Sequence, residues 1–418
     1  MEHTSAAVAN SSPPPAGIVR RFRLWAQRAS DAERAEGASA LARAWLHAGL
    51  EAALRAECAV ALAGLLDDPQ VAVRRAMAEA FAAARCAPRA LVVALANDCS
   101  EVAAPLLARS PLLTEAELVD CVAAGDVVAQ CAVARRPGLG PGPAAALCEV
   151  APRVAALALI ANPDAALTSG ALRRLLERRG DDPEILQALA VRAGLPAEIE
   201  AEIAIAAAGE IAGPGERRAR LRAERDAALA AIAAGCSEDD MPQLVATLRL
   251  RGALTLALLL RSLLGGERGF FAAALADLTG LAPARAGGLV RDPHGAGFGA
   301  AALKAGLPPH ALPLFRAALA AIAAGGAGEG ESPKADLVGA VTAACEDAGD
   351  PALAPYRSLL RRFAAEAARA EARAGTRSTV DLGVLPPSLA RAAANDDAAS
   401  DGLSMNSEGI PSTSLSAA

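Results

Sequence analysis

The sequence is short of most side chains that strands, metals and catalysis draw on. Aromatic residues are 2% of the 418, and the aromatic and β-branched runs that strands prefer are missing. Histidines number four, none with a carboxylate or cysteine at ligand spacing, and no H-E-x-x-H or G-x-S-x-G occurs. The eight cysteines (58, 86, 99, 121, 131, 148, 236 and 345) form no C-x-x-C pair, which excludes a zinc ribbon or a redox motif and leaves them as small buried hydrophobes in a reducing compartment. Lysine occurs only at Lys304 and Lys334, and the net charge of -6 argues against a nucleic-acid partner, whose phosphates demand a basic balance. The apolar run from about Ala253 to Leu260 is closed by Arg251 and Arg261, whereas a membrane span needs about 20 residues. No signal-peptide core opens the sequence, so a cytoplasmic protein without cofactor or metal is expected.

What the sequence does have is alanine and leucine, with 53% hydrophobic residues in helical periodicity. An all-α protein follows. Its helices stop on a count: Pro111, Pro137 and Pro163 are 26 residues apart. A proline cannot continue the hydrogen-bond ladder and pushes the residue before it out of helical geometry, so each is a joint. Leu113 and Leu139, two residues on, are apolar pegs that pin the joints to a core. Thr114 with Glu117 has capping-box spacing, and Thr168 suits the same task in the third unit. Acidic turns are expected before the apolar helices, at Asp68, Asp98, Asp126, Glu149 and Asp182. Units this short cannot bury an apolar face alone, so they stack on one another as a HEAT-like α-solenoid of short helix pairs.

The A-R/N-x-P-x-L joints resemble leucine-rich-variant and HEAT-like repeats. The run from about Leu62 to Ile203, followed by "RGALTLALLLRSLLGGERGFFAAALADLTGLAPARAGGLV" and "LKAGLPPHALPLFRAAL", resembles the bacterial family known as domain of unknown function 2336. The later block, 249–319, is the more specific half, and the resemblance covers about 60–323. It implies helical repeats and no established activity, so no catalytic residue is carried over. The fourth joint, "VRAGLP", departs from the pattern with Ala193 in place of proline.

The resulting map is a disordered arm over 1–17, a basic amphipathic helix over 18–37, HEAT-like repeats over 38–210 and a second helical module over 216–323. A linker over 324–333, C-terminal helices over 334–374 and a disordered tail over 375–418 follow. Ile18, Phe22 and Trp25 share a face among arginines; such a helix suits peripheral contact with an anionic membrane through 18–28, or, as favoured here, docking over the end of the core. Gly295, Gly297 and Gly299 with His294 and Lys304 could form an anion-holding loop over 291–299, but without Walker or Rossmann spacing an inter-helix loop is favoured.

Two function classes fit. The first is a non-enzymatic scaffold or adaptor that binds a protein segment on the repeat surface, with Arg74, Arg75, Arg109, Arg135, Arg136 and Arg192 as the side chains lining it. Capping by the helix dipole, worth roughly 0.3 to 1 kcal/mol, explains the joint arginines without a ligand, and Asn162 in the third unit favours that explanation. The second is a nucleic-acid enzyme of HEAT-like glycosylase type, which needs an aromatic wall in a basic groove; the clear repeats from about Leu62 offer only Phe81, and Trp25 and Trp45 precede that run. The sequence gives no oligomeric state.

Overall fold

A computed structural model describes residues 16–209, 215–325 and 333–381. Most of the expected arm, part of the linker and residues 382–418 of the expected tail lie outside the described residues, as does the side chain of Ile18. Every regular element among the described residues is helical. The chain divides into two compact units, Met1–Thr255 and Leu256–Ala418.

In the first unit the helices are α1 (Ala16–Ala26), α2 (Asp31–His47), α3 (Ala52–Ala63), α4 (Val71–Phe81), α5 (Arg89–Ala96), α6 (Ser100–Arg109), α7 (Glu115–Ala124) and α8 (Val127–Ala134). They continue as α9 (Pro141–Val150), α10 (Arg153–Ile160), α11 (Ser169–Arg179), α12 (Pro183–Ala190), α13 (Ala197–Ala208), α14 (Gly215–Gly235) and α15 (Met241–Leu250). From α2 onward each even-numbered helix packs on the next even-numbered one as far as α12, and α7, α9, α11, α13 and α15 pack on one another in the same way. Two parallel rows of short helices result, as stacked repeats require. One continuous core runs between them from Ala38 to Ile203, filled mainly by alanine, valine and leucine, with Phe81 its largest member. Small side chains let the helices approach closely, and the burial of each apolar face depends on the next helix in the row. At the start of the chain α1 packs on α3, and Phe22 lies half-buried against the core.

The joints are built as the sequence indicates. Ser110 leaves helical geometry (φ -72°, ψ 120°), and Leu113 and Leu139 are buried. Thr114 accepts from the Glu117 amide while Glu117 reaches back to the Thr114 amide, so a full capping box starts α7. Thr168 accepts from the Ala171 amide to cap α11. Gly138 and Gly194 both adopt left-handed backbone (φ 62° and 74°), so the fourth joint turns as the second does although Ala193 replaces the proline. Asp126 and Asp182 cap α8 and α12. Glu149 corrects the acidic-turn pattern: it lies in the last turn of α9, and Pro152 stands at the start of α10 instead.

In the second unit the helices are α16 (Leu256–Gly265), α17 (Arg268–Thr279), α18 (Pro283–Arg291), α19 (Ala296–Lys304), α20 (Leu312–Ala323), α21 (Ala335–Asp347) and α22 (Ala354–Asp381), with 3-10 turns at Pro309–Ala311 and Pro351–Leu353. Phe271 stacks on Phe315 (centroids 5.5 Å apart) and leans on Phe298 (6.3 Å), a cluster of three aromatic rings. Buried Arg261 on α16 pairs with Glu366 on α22, its guanidinium 5.5 Å from the Phe363 ring centroid. α22 carries seven residues into the stretch that composition assigns to the tail. The expected glycine loop is also corrected. Gly295 precedes α19, Gly297 and Gly299 lie inside it, and Lys304 donates to the Thr279 carbonyl (2.7 Å) at the end of α17.

Candidate functional site

The two residues before each joint turn divide into two columns. Ser110, Arg136, Asn162 and Arg192 point back into the stack; Arg109, Arg135, Ala161 and Val191 stand exposed beside them. The helices end where they do because of the joint turn, and the period then places equivalent residues above one another along the α6, α8, α10 and α12 row.

The inward column is a ladder of cross-repeat caps. The last carbonyls of a helix lack intrahelical partners. Arg136 donates from Nη1 to the Leu107 carbonyl (3.0 Å) and from Nη2 to that of Ser110, at the end of α6. Asn162 donates from Nδ2 to the carbonyls of Ala134 and Arg136, both at 2.8 Å, at the end of α8. Arg192 reaches the carbonyls of Ile160 (2.5 Å), Asn162 (2.7 Å) and Ala165 (3.2 Å) beyond α10. Each residue therefore caps the helix one repeat earlier, not its own. Burial pushes the Arg136 guanidinium down from its ordinary value.

The acidic turns make a second ladder toward the other ends of the same helices. Arg34 binds Asp68 through two nitrogens (2.8 and 3.2 Å), and Arg74 binds Asp98 likewise (2.6 and 3.0 Å). The Ser100 hydroxyl and two backbone amides hold the Asp126 carboxyl below the usual range, and Arg153 pairs with Asp182 (3.3 Å). The Arg74 guanidinium keeps Asp98 low as well, against the opposing effect of burial.

Of the six arginines expected to line a surface, Arg74, Arg136 and Arg192 are half-buried and engaged in these ladders. Arg75 is exposed and pairs with Glu79 one turn along α4 (2.9 Å). Arg109 and Arg135 are exposed, and their side chains have no hydrogen bond or ion pair with another described residue.

Beside the exposed column the surface is hollowed. One recess of about 530 Å³ is lined by Arg135, Val154, Leu157, Ala158, Asn162 and Pro163. The next, of about 360 Å³, shares Ala161 and Pro163 with it and continues to Ala188, Val191 and Arg192. Val154 and Val191 are 58% and 80% exposed, so the floor and rim are apolar side chains that the fold leaves uncovered. Guanidinium groups are engaged differently along this groove: its α8 end carries the exposed Arg135, with Arg109 one joint earlier, whereas Arg192 at its α12 end is bound to carbonyls and the exposed column there is Val191, with Ala161 beyond α10 between them.

A family model described as an uncharacterised protein conserved in bacteria (DUF2336) matches residues 102–348, more than half of the chain. The chain belongs to the DUF2336 family. The DUF2336 match takes in all four joints and both recesses, and leaves Arg74 and Arg75 outside it. It begins later than the resemblance seen in the sequence and runs on through α21. No curated protein and no solved structure matches the chain.

Sequence reasoning missed Val154, Ala161 and Val191, because an apolar residue in an Ala-Leu-Val helix looks like core. Register links them, because Ala161 and Val191 occupy the column of Arg109 and Arg135, but only the structure shows that this column faces outward. The aromatic residues of the first unit serve packing. Trp45 stands edge-on to Phe81 (6.5 Å), donates from Nε1 to the Arg55 carbonyl (3.1 Å) and carries the Arg55 guanidinium over its ring. Among the described residues no group of three or more His, Cys, Asp or Glu side chains could hold a metal ion, and no helix is long and apolar enough to cross a membrane.

Proposed function

We propose that this chain is a non-enzymatic scaffold or adaptor that binds a segment of another protein along its joints, from Arg109 to Val191. The observation that carries the reading is the apolar groove formed by two adjoining recesses over α10 and α12, with guanidinium groups toward one end that have no partner among the described residues. Exposed valines around concave recesses suit apolar anchor residues, and free arginines at the edge suit acidic ones. The fitting partner is an amphipathic segment whose acidic end faces Arg109 and Arg135 and whose apolar side chains sit near Val154 and Val191. Only the exposed column is assigned to binding in this reading. Arg74, Arg136 and Arg192 hold the stack that presents it.

The test is site-specific photocrosslinking in the native cell, with a benzophenone amino acid placed at Val154 or Val191 and, as control, at exposed Val60. Both groove positions should give the same protein adduct, Val60 should not, and the Arg109→Glu, Arg135→Glu double change should remove it. A folded protein that crosslinks at neither groove position, or equally at Val60, excludes the groove as the binding site.

A further inference from the structure

A third recess, separate from the groove, lies in the second row of helices. It measures about 310 Å³ and is lined by Arg173 of α11, Glu202 of α13, Gln243, Thr247 and Leu250 of α15, and Arg251 just beyond α15. Glu202 is the buried centre, with its side chain 5% exposed. Its Oε1 accepts from Arg173 Nε at 2.9 Å and its Oε2 from Arg251 Nη2 at 2.8 Å. One carboxylate thus fixes two guanidinium groups from different helices, and the three charges leave a net positive site.

The cations are not used up by this contact. The Nη atoms of Arg173 and the Nε and Nη1 atoms of Arg251 have no hydrogen-bond partner among the described residues, and the two side chains are 34% and 44% exposed. Pre-fixed guanidinium forks are the donors best matched to phosphate and carboxylate oxygens, since their ordering is already done before a ligand arrives. Beside them Leu250, 76% exposed on the rim, offers an apolar surface. The recess is at the small end of the range for small-molecule sites, about 300 to 1,000 Å³.

We propose that this recess binds a small molecule bearing an oxyanion, a phosphate or a carboxylate group, gripped between Arg173 and Arg251 with its apolar body against Leu250. Glu202 acts as a positioning residue that sets the two guanidinium groups and lowers the affinity through its own charge. The site is independent of the groove assigned above to a protein segment.

The experiment is calorimetric titration of the full chain with phenyl phosphate and, separately, benzoate, at fixed ionic strength set with chloride. At least one probe should saturate a single site, and which one does distinguishes a phosphate from a carboxylate ligand. Arg173→Ala and Arg251→Ala should each weaken binding by about tenfold or more, the loss expected for a charge-assisted contact. Glu202→Gln removes the competing charge while its amide oxygen still accepts from a guanidinium group, and should tighten binding severalfold. A triad that only ties the helices together predicts the reverse, a less stable Glu202→Gln protein with no gain in affinity. Absence of saturable binding by wild type, or unchanged affinity in Glu202→Gln, overturns the proposal even where the arginine variants fail to fold.

Discussion

Arg136 donates to the carbonyl of Ser110, the residue that occupies its own place one joint earlier, 26 residues back. Asn162 repeats the relationship with Arg136, and Arg192 with Asn162. The ladder is therefore self-referential: each rung closes the helix end on which the previous rung is built.

Arg136 should matter for stability and its exposed neighbour Arg135 should not. Truncating Arg136 leaves the Leu107 and Ser110 carbonyls without their donor, and an unsatisfied buried acceptor costs about 1–3 kcal/mol. Arg135→Ala should stay within about 0.5 kcal/mol of wild type, as surface changes usually do. Urea unfolding of the two variants measures the difference, and equal midpoints would contradict the ladder.

At the joint turn itself, glycine should outweigh proline. Ala193 already replaces proline in the fourth joint, and Gly194 keeps the turn at φ 74°. Pro137→Ala is accordingly expected to cost little, while Gly138→Ala, at φ 62°, should cost roughly 1–2 kcal/mol from left-handed backbone alone, since nothing lies within 4 Å of the added carbon. Thermal melts of both variants rank the two effects; a larger loss for Pro137→Ala would show that the ring, not the turn, stops the helix.

Acid should loosen the first unit through its carboxylate partners. Arg74 holds Asp98 below its ordinary value, Ser100 does so for Asp126, the Thr114 amide for Glu117 and Arg174 for Glu149. A depressed carboxylate contributes stability that is fully present above its unfolded value, about pH 4, and is lost as pH falls through the folded value. Stability measured by denaturant titration should thus fall as pH drops below about 4, and Asp98→Asn should flatten part of that slope. A slope unchanged in Asp98→Asn would remove the Arg74 pair from the acid response.

The cysteines should react in two classes. Cys86 and Cys99 are exposed, whereas Cys148 is fully buried and burial pushes its thiol up to about 12. A thiol reagent at neutral pH should label Cys86 and Cys99 quickly in folded protein, with Cys148 reached only on unfolding. Unfolded, unreduced protein should release all eight thiols. Mass spectrometry of the labelled peptides assigns the classes, and early labelling of Cys148 would contradict the buried core.

Some of the architecture was legible because it is local. Thr114 and Glu117 share one turn, so their capping box could be read from spacing, as could the exit of Ser110 from helical geometry ahead of Pro111. Glu149 shows the limit of that reasoning. Its interval suggested a turn, but apolar helical pattern on both sides carried α9 through it, and its carboxylate found Arg174 on the next helix of the row instead.

The sequence by itself determined that this chain is helical, where the joints fall and which family it resembles, because helix propensity, proline stops and caps act within a few residues. Tertiary structure alone decided which member of each arginine pair is a rung and which is surface. Arg135 and Arg136 are chemically identical neighbours, yet one faces solvent beside the groove and the other is drawn onto carbonyls of the preceding repeat. That choice rests on the rotation and rise from one stacked helix to the next, which bring the end of α6 within reach of Arg136, and no local pattern in the chain encodes that distance.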